Sequence, residues 1–94
     1  MTWRVQLETP ARKDLRKLHP LEQRRVVAAL ESLQKDPAHH PQSLNLEGEL
    51  EGIRRLLVGE FRVAHTVEPD SYLVVVWAIA PRELIYQLLK QRRV

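Results

Sequence analysis

Ninety-four residues carrying a net charge of +3, with 44% hydrophobic and 29% charged residues, suffice for one folded core and leave little for a second domain or a large cofactor cradle. The absence of cysteine removes disulfides, thiolate-bound zinc and thiol catalysis together. No apolar run approaches the roughly 20 residues of a membrane helix and Met1–Arg4 begins no apolar leader, so the expectation is a single domain over residues 1–94, soluble, cytoplasmic and with no membrane partner.

Trp3, Val5 and Leu7 alternate with Arg4, Gln6 and Glu8, the period-two pattern of a half-buried opening strand. Thr9 then offers an N-cap hydroxyl with Pro10 in the first helical position, and Ala11, Leu15 and Leu18 recur at helical spacing, turning Arg12, Lys13, Arg16 and Lys17 outward. His19-Pro20 interrupts this helix and starts a second one, whose stripe is Val26, Val27, Leu30 and Leu33 and which ends at Asp36-Pro37.

From Pro37 to Glu51 no period emerges and the segment reads as a loop, long enough for function or mobility. Ile53–Val58 and Phe61–Val67 are apolar-rich runs across Gly59-Glu60, a spacing that suits a tight hairpin. Glu68-Pro69-Asp70-Ser71 is a second turn, and Tyr72–Ile79 reads as a central strand covered on both faces. Pro81 can open a last helix with Leu84, Ile85, Leu88 and Leu89 on one stripe and Lys90, Arg92 and Arg93 near its C-terminal end. The fold class is α+β, with order βααβββ(α), a small, mostly antiparallel sheet and two helices packed on one face. The other face is left free for function.

The charge is uneven. Residues 1–46 carry eight basic and five acidic groups, residues 47–70 three and six, and residues 71–94 four and one. Basic ends around an acidic middle suit phosphates or an acidic protein, although exposed helices are commonly basic. Phosphate-binding loops, dinucleotide fingerprints, nucleophile-elbow serines and HExxH are all absent. His19, His39, His40 and His65 have no acidic partner at metal-ligand spacing, so neither metal nor cofactor is expected.

The chemistry-bearing residues are Arg54, Arg55, Arg62, Arg82 and Tyr86. Arg55 and Arg62 lie on strands paired across the Gly59 turn, where their guanidiniums can converge. An arginine within a strand must reach solvent or an anion, and its planar fork fits a phosphate. The competing reading is salt bridges to Glu60, Glu68 or Asp70. His65 and Tyr86 are possible acid–base groups or simply packing residues.

Arg55–Val63, reading R-L-L-V-G-E-F-R-V, resembles the R-L-R-V-G-D-Y-R-V signature of the RelE/ParE toxin superfamily. Ala11–Leu18 is similar to the superfamily's A-x-K-D-L-x-K-L helix, and Ala80–Tyr86 to its closing h-R-x-x-I-Y. The resemblance spans nearly the whole chain and implies the toxin of a toxin–antitoxin pair. RelE-like members cut mRNA in the ribosomal A site without metal, the 2′-hydroxyl attacking the adjacent phosphate, whereas ParE-like members poison DNA gyrase.

Carried over by position, the resemblance implies that Arg55 and Arg62 hold the scissile phosphate, Arg82 serves the phosphate or leaving group, and Tyr86 stacks on or deprotonates the substrate. Arg54, Arg12, Lys13, Arg16 and Lys17 would then meet RNA. The implied partners are a cognate antitoxin and the ribosome with its mRNA and rRNA. Ile53 and Leu57, flanking Arg55 on its own face, are apolar where the superfamily often has a second basic residue, and His65 stands where tyrosine is common. Glu47, Glu49 and Glu51 precede the motif strand and include a possible base. The expected function is an mRNA interferase, because Arg62, Arg82 and Tyr86 together are harder to explain by packing than by phosphate chemistry, and the alternative is a gyrase-directed, binding-only or inactive toxin.

Overall fold

Alternation in the first residues builds β1 (Arg4–Leu7), and the paired stripes that follow build α1 (Thr9–Lys17) and α2 (Pro20–Leu33). The computed structural model describes residues 2–92, so the expectation for Arg93 lies outside the described residues. The chain continues through β2 (Ser43–Asn45), β3 (Arg54–Val58), β4 (Phe61–Glu68), β5 (Leu73–Pro81) and α3 (Ile85–Arg92). These strands form one five-stranded sheet in the order β1-β5-β4-β3-β2, with β1 parallel to β5 and the other pairs antiparallel.

The core on one face joins Ala11, Val26, Leu30 and Leu33 of the helical hairpin to Leu56, Val63, Val74, Val76 and Ile79 of the sheet. Val27 departs from its expected stripe and is exposed. Local capping differs too: Thr9 is already helical, its hydroxyl accepting from Arg12 at 3.0 Å. His19 caps α2, its Nδ1 accepting from the Leu21 N–H at 3.3 Å while Glu22 accepts from the His19 N–H at 3.1 Å.

Three larger expectations are corrected. The segment 37–51 is not a structureless loop, since it contains β2 and a 3-10 turn at Gly48–Leu50. β2 owes its form to pairing with β3, and its one apolar residue, Leu44, points to solvent. Pro81 closes β5, paired with Phe61, rather than opening the helix. α3 therefore starts at Ile85, and Leu84 stays exposed outside its stripe.

The third correction concerns the layers. α3 packs on the face opposite α1 and α2, where Ile85 and Leu89 meet Ala64, Ala78 and Ala80. Alanines let a helix approach a sheet closely, so part of the face expected to be free is covered.

Two local devices shape the site. The β3–β4 hairpin turns on Gly59-Glu60, with Val58 opposite Phe61 and Gly59 at φ +60°. A Cβ added at Gly59 meets no atom within 4 Å, so Gly59→Ala pays only for the left-handed backbone. It is expected to lower stability by about 1 kcal/mol, visible as a fall of roughly 4–8 °C in melting temperature for a domain of this size. Farther along, β5 carries a bulge. Ala64 faces Ala78 while His65 faces Val76, which leaves Trp77 as the extra residue. Tyr72, expected to begin β5, instead precedes it at φ 50°, its ring 5.2 Å from that of Trp3.

Candidate functional site

Adjacent residues of a strand face opposite ways, so register decides which arginines share a surface. Arg54 pairs with His65 and Leu56 with Val63, on the face of α1 and α2. Arg55 pairs with Ala64 and Leu57 with Arg62, on the face of α3. Arg55 and Arg62 are thus diagonal rather than direct partners, a relation that separates Cα atoms by about 7–8 Å in sheets generally.

The end of this face is an open cleft of about 460 Å³ lined by Gly59, Glu60, Phe61, Arg62, Pro81, Arg82 and Glu83. The hairpin turn supplies one wall and the β5–α3 connection the other, tied by the Arg82 N–H donating to the Glu60 carbonyl at 3.1 Å. Arg62 is held in place because its Nη1 donates to the Gly59 and Phe61 carbonyls at 3.1 and 2.9 Å. Arg82 is exposed. Among the described residues no ion pair engages Arg55, Arg62 or Arg82, and the expected alternative of salt bridges to Glu60, Glu68 or Asp70 does not form.

The structure thus joins Arg62 and Arg82 in one cleft and puts Arg55 on the same sheet face, outside the lining. Tyr86 is exposed in the first turn of α3, four residues beyond Arg82, and does not line the cleft. Glu60 and Glu83 do line it. They are its carboxylates, whereas Glu47, Glu49 and Glu51 lie exposed in the β2–β3 connection. The signal for Glu60 and Glu83 was adjacency, since each neighbours a residue of the motifs already singled out.

Other residues lie elsewhere. His65 is fully buried on the face of α1 and α2, its Nδ1–H donating to the Val63 carbonyl at 3.2 Å and its Nε2 without a partner. Burial drives its pKa down to about 4; the Val63 bond opposes this and the charges of Arg54 and His40 add to it. His65 is therefore neutral near pH 7 and enclosed in the protein.

Arg54 shares that face, its Nε donating to the Ser43 hydroxyl at 2.9 Å. Arg12, Lys13, Arg16 and Lys17 are exposed on α1, in the layer opposite the face of Arg55 and Arg62. The remaining histidines have separate local roles, His39 bonding Asp36, His40 bonding Ser32 and His19 capping α2.

Two guanidiniums lining an open cleft, with no ion-pair partner among the described residues, can bind a phosphate and stabilise charge that builds on it.

The family model of the ParE toxin of type II toxin–antitoxin system, parDE, matches residues 5–86. No curated protein matches the chain. Among solved structures, the toxin–antitoxin complex RelBE2 from Mycobacterium tuberculosis is similar at 28% identity and TM-score 0.79, over 87% of this chain and 100% of that one. The archaeal RelE–RelB complex from Pyrococcus horikoshii is similar at 25% identity and TM-score 0.74, over 87% and 97%. A free-state mutant of the Escherichia coli toxin RelE shares the fold at 18% identity and TM-score 0.74, over 97% and 98%.

Proposed function

We propose that this chain, which belongs to the RelE/ParE superfamily of toxins of type II toxin–antitoxin systems, is a ribosome-dependent endoribonuclease that cleaves mRNA in the A site without a metal. The observation that carries this reading is the cleft in which Arg62 and Arg82 lie without ion-pair partners among the described residues. In the reaction the 2′-oxygen attacks the neighbouring phosphorus and the 5′-oxygen leaves, giving a 2′,3′-cyclic phosphate and a 5′-hydroxyl end. The proton from the 2′-hydroxyl is taken up by a base and the leaving oxygen regains one. Charge accumulates on the non-bridging oxygens in between, and the Arg62 guanidinium, held by its carbonyl bonds, with the Arg82 guanidinium ordered on the substrate, stabilises that state more than the ground state.

Arg55 extends the positive surface along β3. Tyr86 offers a ring on which an unpaired base can stack, a contact worth about 1–3 kcal/mol. Arg12, Lys13, Arg16 and Lys17 on α1 offer a separate basic surface for rRNA phosphates, and Arg54, on β3 beside Ser43, a further RNA contact. The protein works where ribosomes are, in the cytoplasm, and is held silent by a cognate antitoxin, as the M. tuberculosis and P. horikoshii relatives are seen in complex with theirs.

A second reading, inhibition of DNA gyrase without nuclease activity, is favoured by one observation: the matching model is that of ParE toxins. Induction of the chain alone, followed by mapping of mRNA 5′ ends, separates the two. New ends within translated codons are expected. Intact mRNA with gyrase-dependent DNA breaks supports the second reading and overturns the first.

A further inference from the structure

β1 pairs with β5 only as far as Val76, and the bulge at Trp77 turns the strand just beyond it. Past that point, among the described residues, no strand lies beside the edge of β5 that faces β1. Two side chains take the strand's place. Asp14 of α1 accepts from the Ile79 N–H at 3.0 Å, and Arg92 of α3 donates to the Trp77 carbonyl at 3.2 Å. The two close on each other with paired bonds, Nη1 to Oδ2 at 2.7 Å and Nη2 to Oδ1 at 2.9 Å. Their side chains are only 12% and 22% exposed. The fork-to-fork pair joins a helix on one face of the sheet to a helix on the other, around the sheet's edge.

α3 needs this connection. Eight residues are too few for a helix to persist alone, and its fully buried side chains are Ile85 and Leu89. Arg92 continues their spacing by one more turn (85, 89, 92), so the ion pair supplies the third anchor of the stripe. A second ionic contact of α3 among the described residues, Lys90 to Glu49 at 4.0 Å, is exposed at both ends and adds little. Tyr86 lies on the first turn of this helix, separated from the cleft-lining run Pro81–Glu83 by Leu84 and Ile85.

We propose that Asp14 is a positioning residue: acting through Arg92, it clasps α3 to the sheet edge and so fixes Tyr86 relative to Arg62 and Arg82. This rests on the nuclease reading given above. Asp14→Asn is the informative change, because an amide oxygen in place of Oδ2 can still accept from the Ile79 N–H while the negative charge and the second bond, from Arg92 Nη2 to Oδ1, are lost. Arg92→Lys keeps the charge and loses the fork, and Lys90→Ala removes the exposed contact as a control.

The purified variants are compared by hydrogen exchange and by single-turnover mRNA cleavage on programmed ribosomes. For Asp14→Asn, exchange is expected to rise at least about tenfold across α3 with β4 and β5 still protected. The cleavage rate at saturating ribosomes should fall by about ten- to a hundredfold, as expected for misplacement of the order of 1 Å, with the half-saturating concentration unchanged. Arg92→Lys should fall between the parent and Asp14→Asn, and Lys90→Ala should match the parent.

Parental α3 exchange, a parental cleavage rate, or a loss expressed only as weaker ribosome binding each overturns the proposal. If Asp14→Asn also opens β5, Arg92→Lys decides: exchange confined to α3 supports the clasp and sheet-wide opening overturns it. A parent that cleaves no mRNA overturns the nuclease reading and the role of Tyr86 with it, whereas an active parent with an equally active Asp14→Asn overturns the positioning role alone.

Discussion

Arg62→Ala is expected to reduce mRNA cleavage on translating ribosomes by on the order of a hundredfold or more, the usual effect of deleting one preorganised group at a developing negative charge. The loss should be chemical, not structural. Arg62 makes two hydrogen bonds to turn carbonyls and no ion pair among the described residues, and such bonds are worth about 1 kcal/mol each. A fold stable by about 5–15 kcal/mol remains almost wholly populated after that loss. Arg62→Lys separates charge from shape: a point charge cannot grip two phosphate oxygens at once, so activity should return only in part. Arg82→Ala should cost less than Arg62→Ala because Arg82 is exposed and must be ordered by the substrate. The measurement is single-turnover cleavage at saturating ribosomes beside a thermal melt. Arg62→Ala cleaving at the parental rate would remove the cleft from the mechanism, and a collapsed melt would assign the arginine to the turn instead.

The sheet strands differ in how visible they are in sequence, for a physical reason. β1, β3, β4 and β5 bury one or both faces, so their apolar residues fall into period two or into continuous runs. β2 buries almost nothing and exists through its bonds to Leu56, Arg55 and Arg54, interactions that leave no periodic trace. The stripe of α3 revealed that Ile85 and Leu89 are buried but not against which layer. Of the small residues that admit the helix, Ala64 and Ala78 stand within the apolar runs read as strands and Ala80 in the closing motif beyond them, and neither pattern shows the face they share.

The site shows the same limit. Arg62 and Arg82 were singled out by residue type, but their shared cleft depends on the Arg82–Glu60 backbone bond, and the separation of Arg54 from Arg55 depends on register. The Asp14–Arg92 pair spans 78 positions and has no local signature at all.

Acidification from pH 7 to 5 is expected to destabilise the fold by about 2 kcal/mol through His65 alone. The ring is fully buried and its pKa is pushed from 6.5 down to about 4, chiefly by burial. Above pH 6.5 the ring is neutral in both folded and unfolded chains and stability does not depend on it. Between 6.5 and about 4 the unfolded chain takes up a proton that the fold refuses, so stability falls as pH falls, and below about 4 the full loss of about 3 kcal/mol is reached.

The geometry explains the refusal. Nδ1–H is committed to the Val63 carbonyl, and a second proton would sit on Nε2, which has no acceptor, beside the charge of Arg54 and near His40. Much of that window lies above the carboxylate range, so His65→Phe, which keeps a ring of similar shape without an ionisable group, should flatten the pH dependence between 7 and 5. Chemical unfolding of both proteins across that range tests the assignment. Equal slopes would place the acid sensitivity in another group, and a parental stability unchanged between pH 7 and 5 would mean that the buried ring takes up its proton without cost.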